Sequence, residues 1–216
     1  MLTVHHLGRS QSERIVWLCE ELGLDYALVR HQRDPNTLLS PPALKALHPL
    51  GAAPVIEDEG VTLAESGAIV EYILAKYGAG RLAYGAQAAE FPGYLHWLHF
   101  ANGTLQAAMG RCFMLSRLNA PPEQPMAAAI RGRLDRALRY LDQRMAVSPY
   151  LAGAEFTAAD IMTVFSLTTM RLFYPLDLSP YPAIPVYLQR IGARPAYLSA
   201  MEKGDPGFTP MLGAVI

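Results

Sequence analysis

The chain has 216 residues, of which 51% are hydrophobic and 17% charged, and its formal net charge is −1. That length fits one large or two modest domains that bury a core without staples, and that apolar content excludes an intrinsically disordered chain. Near-neutral charge argues against a nucleic-acid or polybasic membrane surface, and the two cysteines, Cys19 and Cys112, lie in no disulfide-framework or zinc spacing. With no basic leader and no apolar run of about 18 residues, the expected setting is soluble and cytoplasmic, with no metal, no nucleic acid and no membrane partner.

Residues 1–80 alternate strand-like and helix-like pieces. Leu2 to Leu7 reads as a strand, Gly8-Arg9-Ser10-Gln11-Ser12 as a turn, and the following segment as a helix with Ile15, Leu18, Cys19 and Leu22 in one stripe, closed by Gly23. A second strand follows at Tyr26 to His31. Pro41-Pro42 opens a short helix. Val55 to Asp58 and Val61 to Ala64 form a hairpin about Glu59-Gly60, and a helix runs from Ser66 to Tyr77. The order is β-α-β-α-β-β-α.

Residues 81–88 fall in a stretch rich in Gly and Ala without periodicity and are read as a linker. Residues 89–216 read as all-helical, with helices at Phe91 to Leu118, Met126 to Ala146, Ala158 to Phe173 and Ile184 to Ile191. Leu134, Leu138, Leu141 and Met145 form a buried stripe in the second of these, and its arginines a solvated face. Pro121, Pro122, Pro125, Pro180, Pro182 and Pro185 fall between helices. Phe156-Thr157-Ala158-Ala159-Asp160-Ile161 is a variant capping box with a hydrophobic staple.

Three segments carry chemistry. Ser10 and Ser12 lie where a strand gives way to a helix N-terminus, a place that favours an anion; either could donate a hydroxyl to it or merely cap the helix. Ala53-Pro54, directly before a strand, is a candidate cis bond that would turn the Ala53 N–H and C=O outward to pair with an extended peptide. Glu65-Ser66 opens a helix, with Ser66 as its cap; the serine suits a carboxylate and the glutamate an ammonium, the two charges of an amino acid.

Taken together, Ser10-x-x-x-Arg14 running into IVWLCEELGL, the segment HPLGAAPVIED, the segment TLAESGAIVEYI and the late FTAADI resemble the soluble glutathione transferases, and the first run looks most like bacterial and fungal members of the serine type. The resemblance covers essentially the whole chain. It implies a thioredoxin-like amino-terminal domain that binds glutathione as co-substrate, followed by an all-α helical-bundle carboxy-terminal domain that contributes a pocket for a hydrophobic electrophile, in a homodimer. It implies that Ser10, with Ser12 as rival, stabilises the glutathione thiolate. Ala53 beside Pro54 pairs with the cysteinyl unit, Ala52 flanks it, and Glu65 and Ser66 hold the γ-glutamyl group. Where relatives carry basic residues, this chain has Gly51, Ala52 and Gly67, which leaves a less basic cradle. Leu105, Met109 and Phe113, spaced i, i+4, i+8, are candidates for the electrophile pocket or for bundle core. Cys19 reads as core. His5, His6, His96 and His99 take no role, and Trp17 and Trp97 read as packing residues. The rival readings are a non-catalytic or regulatory protein that retains the fold and a glutathione-dependent isomerase or dehalogenase.

Overall fold

The structure, a computed structural model, describes residues 1–121 and 123–215. The chain divides into two compact units, one of Met1–Ala83 with Gly192–Pro210, the other of Tyr84–Ile191 with the residues from Met211 onward.

In the first unit the elements follow the order read from the sequence: β1 (Thr3–Leu7), α1 (Glu13–Leu22), β2 (Ala27–His31), α2 (Pro42–Lys45), β3 (Val55–Asp58), β4 (Val61–Ala64) and α3 (Ser66–Tyr77). The sheet has strand order β2-β1-β3-β4, with β1 parallel to β2 and antiparallel to β3, and β3 antiparallel to β4. Gly23 ends α1 in the left-handed conformation that glycine adopts freely (φ 60), and the Leu24 N–H closes on the Cys19 carbonyl. Glu59 and Gly60, both at positive φ, make the tight connection between β3 and β4. One cluster of the core gathers Leu7, Leu44, Ala53, Val55 and Ala64, contributed by segments far apart in the chain.

The stretch after residue 191 departs from the expected boundaries. A further helix, α9 (Pro195–Gly204), belongs to the first unit and not to the helical one. Tyr197 packs edge-on against Trp17 with ring centroids 4.8 Å apart, and both rings are buried. Arg194 donates to both carboxylate oxygens of Glu21 at 2.7 Å, while Ser199 and Lys203 reach Glu20 at 2.7 Å each. The partners of α9 lie on α1, 173 to 183 positions earlier in the chain.

The second unit is helical among the described residues: α4 (Phe91–Phe100), α5 (Ala107–Arg117), α6 (Pro125–Val147), α7 (Ala158–Leu167) and α8 (Ala183–Gly192, whose last residue falls in the first unit). The single helix expected over 91–118 is interrupted by a π-helical turn at Ala101–Gln106, where Asn102, Gly103 and Thr104 are poor helix formers in succession. The helix expected to run to Phe173 stops at Leu167. There the Thr168 hydroxyl donates back to the Val164 carbonyl at 2.9 Å, and a 3-10 turn follows at Thr169–Leu172. Leu134, Leu138, Leu141 and Met145 form the buried stripe of α6. Pro125 opens α6 and Pro185 lies in the first turn of α8, inside helices where the sequence suggested gaps between them; Pro122 lies outside the described residues. No helix among the described residues is long and apolar enough to cross a membrane.

Candidate functional site

Strand directions bring the three chemical segments together. His5 of β1 pairs with Val55 of β3, and Val55 pairs with Ala64 of β4. The carboxyl end of β1, the amino end of β3 and the carboxyl end of β4 therefore lie side by side at one end of the sheet. The turn holding Ser10 and Ser12, the Ala53-Pro54 step and the Glu65-Ser66 junction all start from that end.

Ser12 sits at the N-cap position of α1, yet its side chain caps nothing in the helix. Its Oγ accepts the Leu7 N–H at 3.0 Å and lies 2.9 Å from His6 Nδ1 and 2.7 Å from Ser10 Oγ. The Ser12 N–H donates to Ser10 Oγ at 3.2 Å. Behind these hydroxyls His6 Nε2 stands 3.2 Å from Asp205 Oδ2, and both oxygens of Asp205 accept the Arg9 N–H, at 2.9 and 3.0 Å. Burial alone would raise the Asp205 pKa, but the bonds from His6 and Arg9 outweigh it and hold the carboxyl below its usual range. Gly204 makes this approach feasible, since a Cβ there would stand 3.2 Å from His6 Nε2. Ser12 and His6 are sealed from solvent, whereas Ser10 keeps 7% of its surface exposed. Of the two serines Ser10 is the one a ligand can touch.

The Ala53-Pro54 bond is cis. Ala52 is exposed and Ala53 buried. The Ala53 carbonyl does not stand open as expected: it accepts the Gln11 side-chain amide at 3.2 Å, because Gln11 projects from the neighbouring turn toward the same end of the sheet.

Glu65 occupies the N-cap of α3 at φ 75, ψ 113, a region that a non-glycine residue enters at a cost of about 1–3 kcal/mol. Its side chain is exposed. Ser66 is not the cap but the first helical residue, and its buried hydroxyl accepts Arg14 Nη1 at 3.3 Å. Arg14 also donates from Nη1 to Gln11 Oε1 at 3.2 Å. Burial lowers the Arg14 pKa to about 9, with Glu13 opposing, so a positive charge persists beneath Ser66 at neutral pH.

Other residues singled out from the sequence fall outside this end of the sheet. Cys19 is fully buried in α1, and burial together with the nearby Glu20 pushes its thiol up to about 12, which removes it as a reactive group. In the helical unit Leu105 and Met109 have no exposed surface and form core, while Phe113 is half-buried. Helical spacing alone could not separate those roles. Sequence reasoning missed His6, Gln11 and Asp205 as members of the site and left Arg14 without a role. Only Arg14 carried a signal, as part of the motif that follows Ser10.

The arrangement offers a hydroxyl for an anion, helix amino termini that favour negative charge, and a carboxylate for a cation. Residues 1–75 match the family description glutathione S-transferase, N-terminal domain, and residues 104–195 match glutathione S-transferase, C-terminal domain. The chain is 33% identical to glutathione S-transferase 3 of Schizosaccharomyces pombe over 94% of its own length and 88% of that protein. A glutathione S-transferase structure from Actinobacillus pleuropneumoniae superposes with a TM-score of 0.86 at 31% identity, covering 95% of this chain and 93% of the other. A sphingomonad glutathione S-transferase solved in complex with glutathione gives a TM-score of 0.74 at 25% identity, covering 94% and 98%. The chain belongs to the glutathione S-transferase family, with the thioredoxin-like amino-terminal domain and helical carboxy-terminal domain of that fold.

Proposed function

We propose that the protein is a glutathione transferase that holds glutathione at the end of the first unit's sheet, with the sulfur against Ser10. There it converts the thiol to a thiolate and transfers it to an apolar electrophile. The observation that carries this reading is the convergence of Ser10, Ala53-Pro54 and Glu65-Ser66 at one end of the sheet, in a chain of this family. Glu65 takes the ammonium of the γ-glutamyl group, the first turn of α3 at Ser66 takes its carboxylate, and the backbone of Ala53, flanked by Ala52, takes the cysteinyl unit. Pairing to the Ala53 carbonyl requires displacing Gln11, whereas pairing to its N–H does not.

The energetics are within reach of these groups. A thiol of ordinary pKa about 8.5 that is lowered by about two units needs roughly 2.7 kcal/mol of preference for the thiolate. A charge-assisted hydrogen bond from one hydroxyl supplies about 1.5–3 kcal/mol, and a helix amino terminus about 0.3–1 kcal/mol more. Gly51, Ala52 and Gly67 give no cation to the cradle. The Arg14 guanidinium beneath Ser66 supplies part of that field from inside.

Of the three residues assigned from helical spacing to the electrophile, we retain Phe113 alone. Assembly as a homodimer and a cytoplasmic setting complete the reading, supported by the family and by two free, buried cysteines. Light scattering at twice 23.7 kDa checks the first.

Calorimetry with glutathione, followed by conjugation and peroxide-reduction assays over a broad electrophile panel that includes isomerase and dehalogenase substrates, tests the whole. Binding with turnover is the expected result, and the productive substrate separates conjugation from isomerisation and dehalogenation. Binding without turnover favours a non-catalytic protein that retains the fold, a reading motivated by the uncharged Ala52 and Gly67. No binding at millimolar glutathione removes the proposal.

A further inference from the structure

We propose that Ser12, His6 and Asp205 form a proton relay behind Ser10, and that the proton leaving the bound thiol passes through the two serine hydroxyls to the His6 imidazole. This inference rests on the reading that the glutathione sulfur sits against Ser10.

The Asp205 carboxylate can only accept, and it takes the Arg9 N–H on both oxygens, so the His6 Nε2 contact at 3.2 Å must be an N–H donating to Oδ2. In a neutral imidazole Nδ1 is then a bare acceptor, and the Ser12 hydroxyl, 2.9 Å from it and 3.4 Å from the Leu7 carbonyl, donates to Nδ1 as the nearer of its two acceptors. With its hydrogen spent, Ser12 Oγ accepts from the Leu7 N–H and, at 2.7 Å, from the Ser10 hydroxyl. Ser10 thus points its only hydrogen inward. Toward a ligand it presents a lone pair, which suits a thiol S–H and gives nothing to a thiolate.

Shifting one proton along the chain reverses every donor. The S–H bond breaks as Ser10 takes its hydrogen; the hydrogen Ser10 held passes to Ser12, and that of Ser12 to His6 Nδ1. The products are a thiolate, two intact hydroxyls and an imidazolium beside the Asp205 carboxylate, with total charge unchanged. Now His6 Nδ1–H donates to Ser12, Ser12 to Ser10, and Ser10 to the sulfur. All the buried groups are satisfied in both states, and the second state is the one that stabilises a thiolate. The Asp205 carboxylate stands where it offsets the charge the imidazole takes up, as the aspartate does in a Ser-His-Asp triad.

The charged and titratable groups around His6 are compatible with this shift. Asp205 faces it from the end of α9, and Arg9 and Arg33 are charged neighbours of that carboxylate. His31 lies on the adjacent strand. Burial first, and then the neighbouring His5 and His6, lower its own pKa.

The decisive measurement is the number of protons released when glutathione binds, obtained by calorimetry in buffers of different ionisation enthalpy, alongside thiolate absorbance of the same complex. In the unaltered protein at neutral pH the thiolate should form with no net proton passed to buffer. His6→Asn should shift thiolate formation to higher pH by about one unit or more, a tenfold loss of thiolate at fixed pH, and couple it to release of one proton, with glutathione affinity lowered by no more than the same factor. Asp205→Asn keeps an acceptor near His6 but removes its charge, so it should give the same shift in direction; it serves if the His6 variant does not fold. A full proton released by the unaltered protein as its thiolate forms overturns the relay, as does an unchanged thiolate titration in a folded variant. Failure to bind glutathione removes the parent reading, and the relay with it.

Discussion

Arg14 Nη1 donates to Ser66 Oγ across 3.3 Å, joining the first turn of α1 to the first residue of α3, with both residues buried. The same nitrogen reaches Gln11 Oε1, and Gln11 in turn holds the Ala53 carbonyl. One buried guanidinium thereby fixes the spacing of the three segments that form the candidate site. Arg14→Ala should cost about 3 kcal/mol or more, since it leaves a cavity in place of a fully buried side chain and removes its hydrogen bonds to Ser66 and Gln11. Arg14→Lys should cost about 1–3 kcal/mol, because a single ammonium cannot reproduce the planar fork. Urea denaturation reads both losses, and glutathione affinity should fall in the same order.

Acid should weaken the first unit through Asp58. Burial would raise that carboxyl, but hydrogen bonds to Oδ2 from Lys76 at 2.7 Å, Tyr77 at 2.6 Å and Tyr72 at 2.9 Å outweigh it and hold the pKa at about 2. The folded value lies below the ordinary one. The stabilisation is therefore complete above about pH 4 and lost as pH falls toward 2. Its size should be about 1–2 kcal/mol, less than the full shift implies because Lys76 is partly open to water. Asp58→Asn should remove that much at neutral pH and flatten the acid limb of a stability–pH curve.

The helical unit should respond in the opposite sense through Asp160. This side chain has no exposed surface and accepts the Leu151 N–H, the Thr157 N–H, the Thr157 hydroxyl and the Tyr187 hydroxyl, which makes it both the N3 member of the α7 capping box and a tie to α8. Desolvation outweighs those bonds and raises its pKa to about 6. The folded state then binds a proton more tightly than the unfolded one, so the contribution of Asp160 is greatest below about pH 4 and declines by about 3 kcal/mol as pH rises to 6. The stability difference between the unaltered protein and Asp160→Asn should shrink over that interval; a difference independent of pH would refute the assignment.

What the sequence made legible was local. The stripe Ile15, Leu18, Cys19 and Leu22, the turn at Glu59-Gly60, the cis step at Ala53-Pro54 and the Thr157–Asp160 cap are each written within a few neighbouring residues, and each stands in the structure. The contacts that complete the site are not local. His6 and Asp205 are 199 positions apart, and Arg14 and Ser66 are 52 apart, so no period or motif links them. The same gap explains α9, whose partners Trp17, Glu20 and Glu21 lie on α1. Leu105 and Met109 show the converse: a regular apolar row is equally the signature of a core and of a pocket, and only burial tells them apart.

The two serines of the first turn should separate by what each variant loses. Ser10 keeps a share of its surface and its Oγ bonds within the turn to Ser12, so Ser10→Ala should leave stability within about 1 kcal/mol of the unaltered protein. It should nevertheless lower kcat/KM for conjugation by about 10- to 100-fold, the equivalent of one charge-assisted hydrogen bond to sulfur. Ser12 Oγ is buried and serves the Leu7 N–H, His6 and Ser10 together. Ser12→Ala should therefore cost about 1–3 kcal/mol of stability through the groups it orphans, and thiolate formation should shift to higher pH while Ser10 is still present. Thermal unfolding and thiolate absorbance on the two variants give four readings. If Ser10→Ala kept its thiolate while Ser12→Ala lost it without loss of stability, the sulfur would have to sit against Ser12, a position from which the structure excludes solvent. The burial of Ser12 therefore argues for the opposite result, in which the hydroxyl that touches the ligand and the hydroxyl that holds the turn are different atoms.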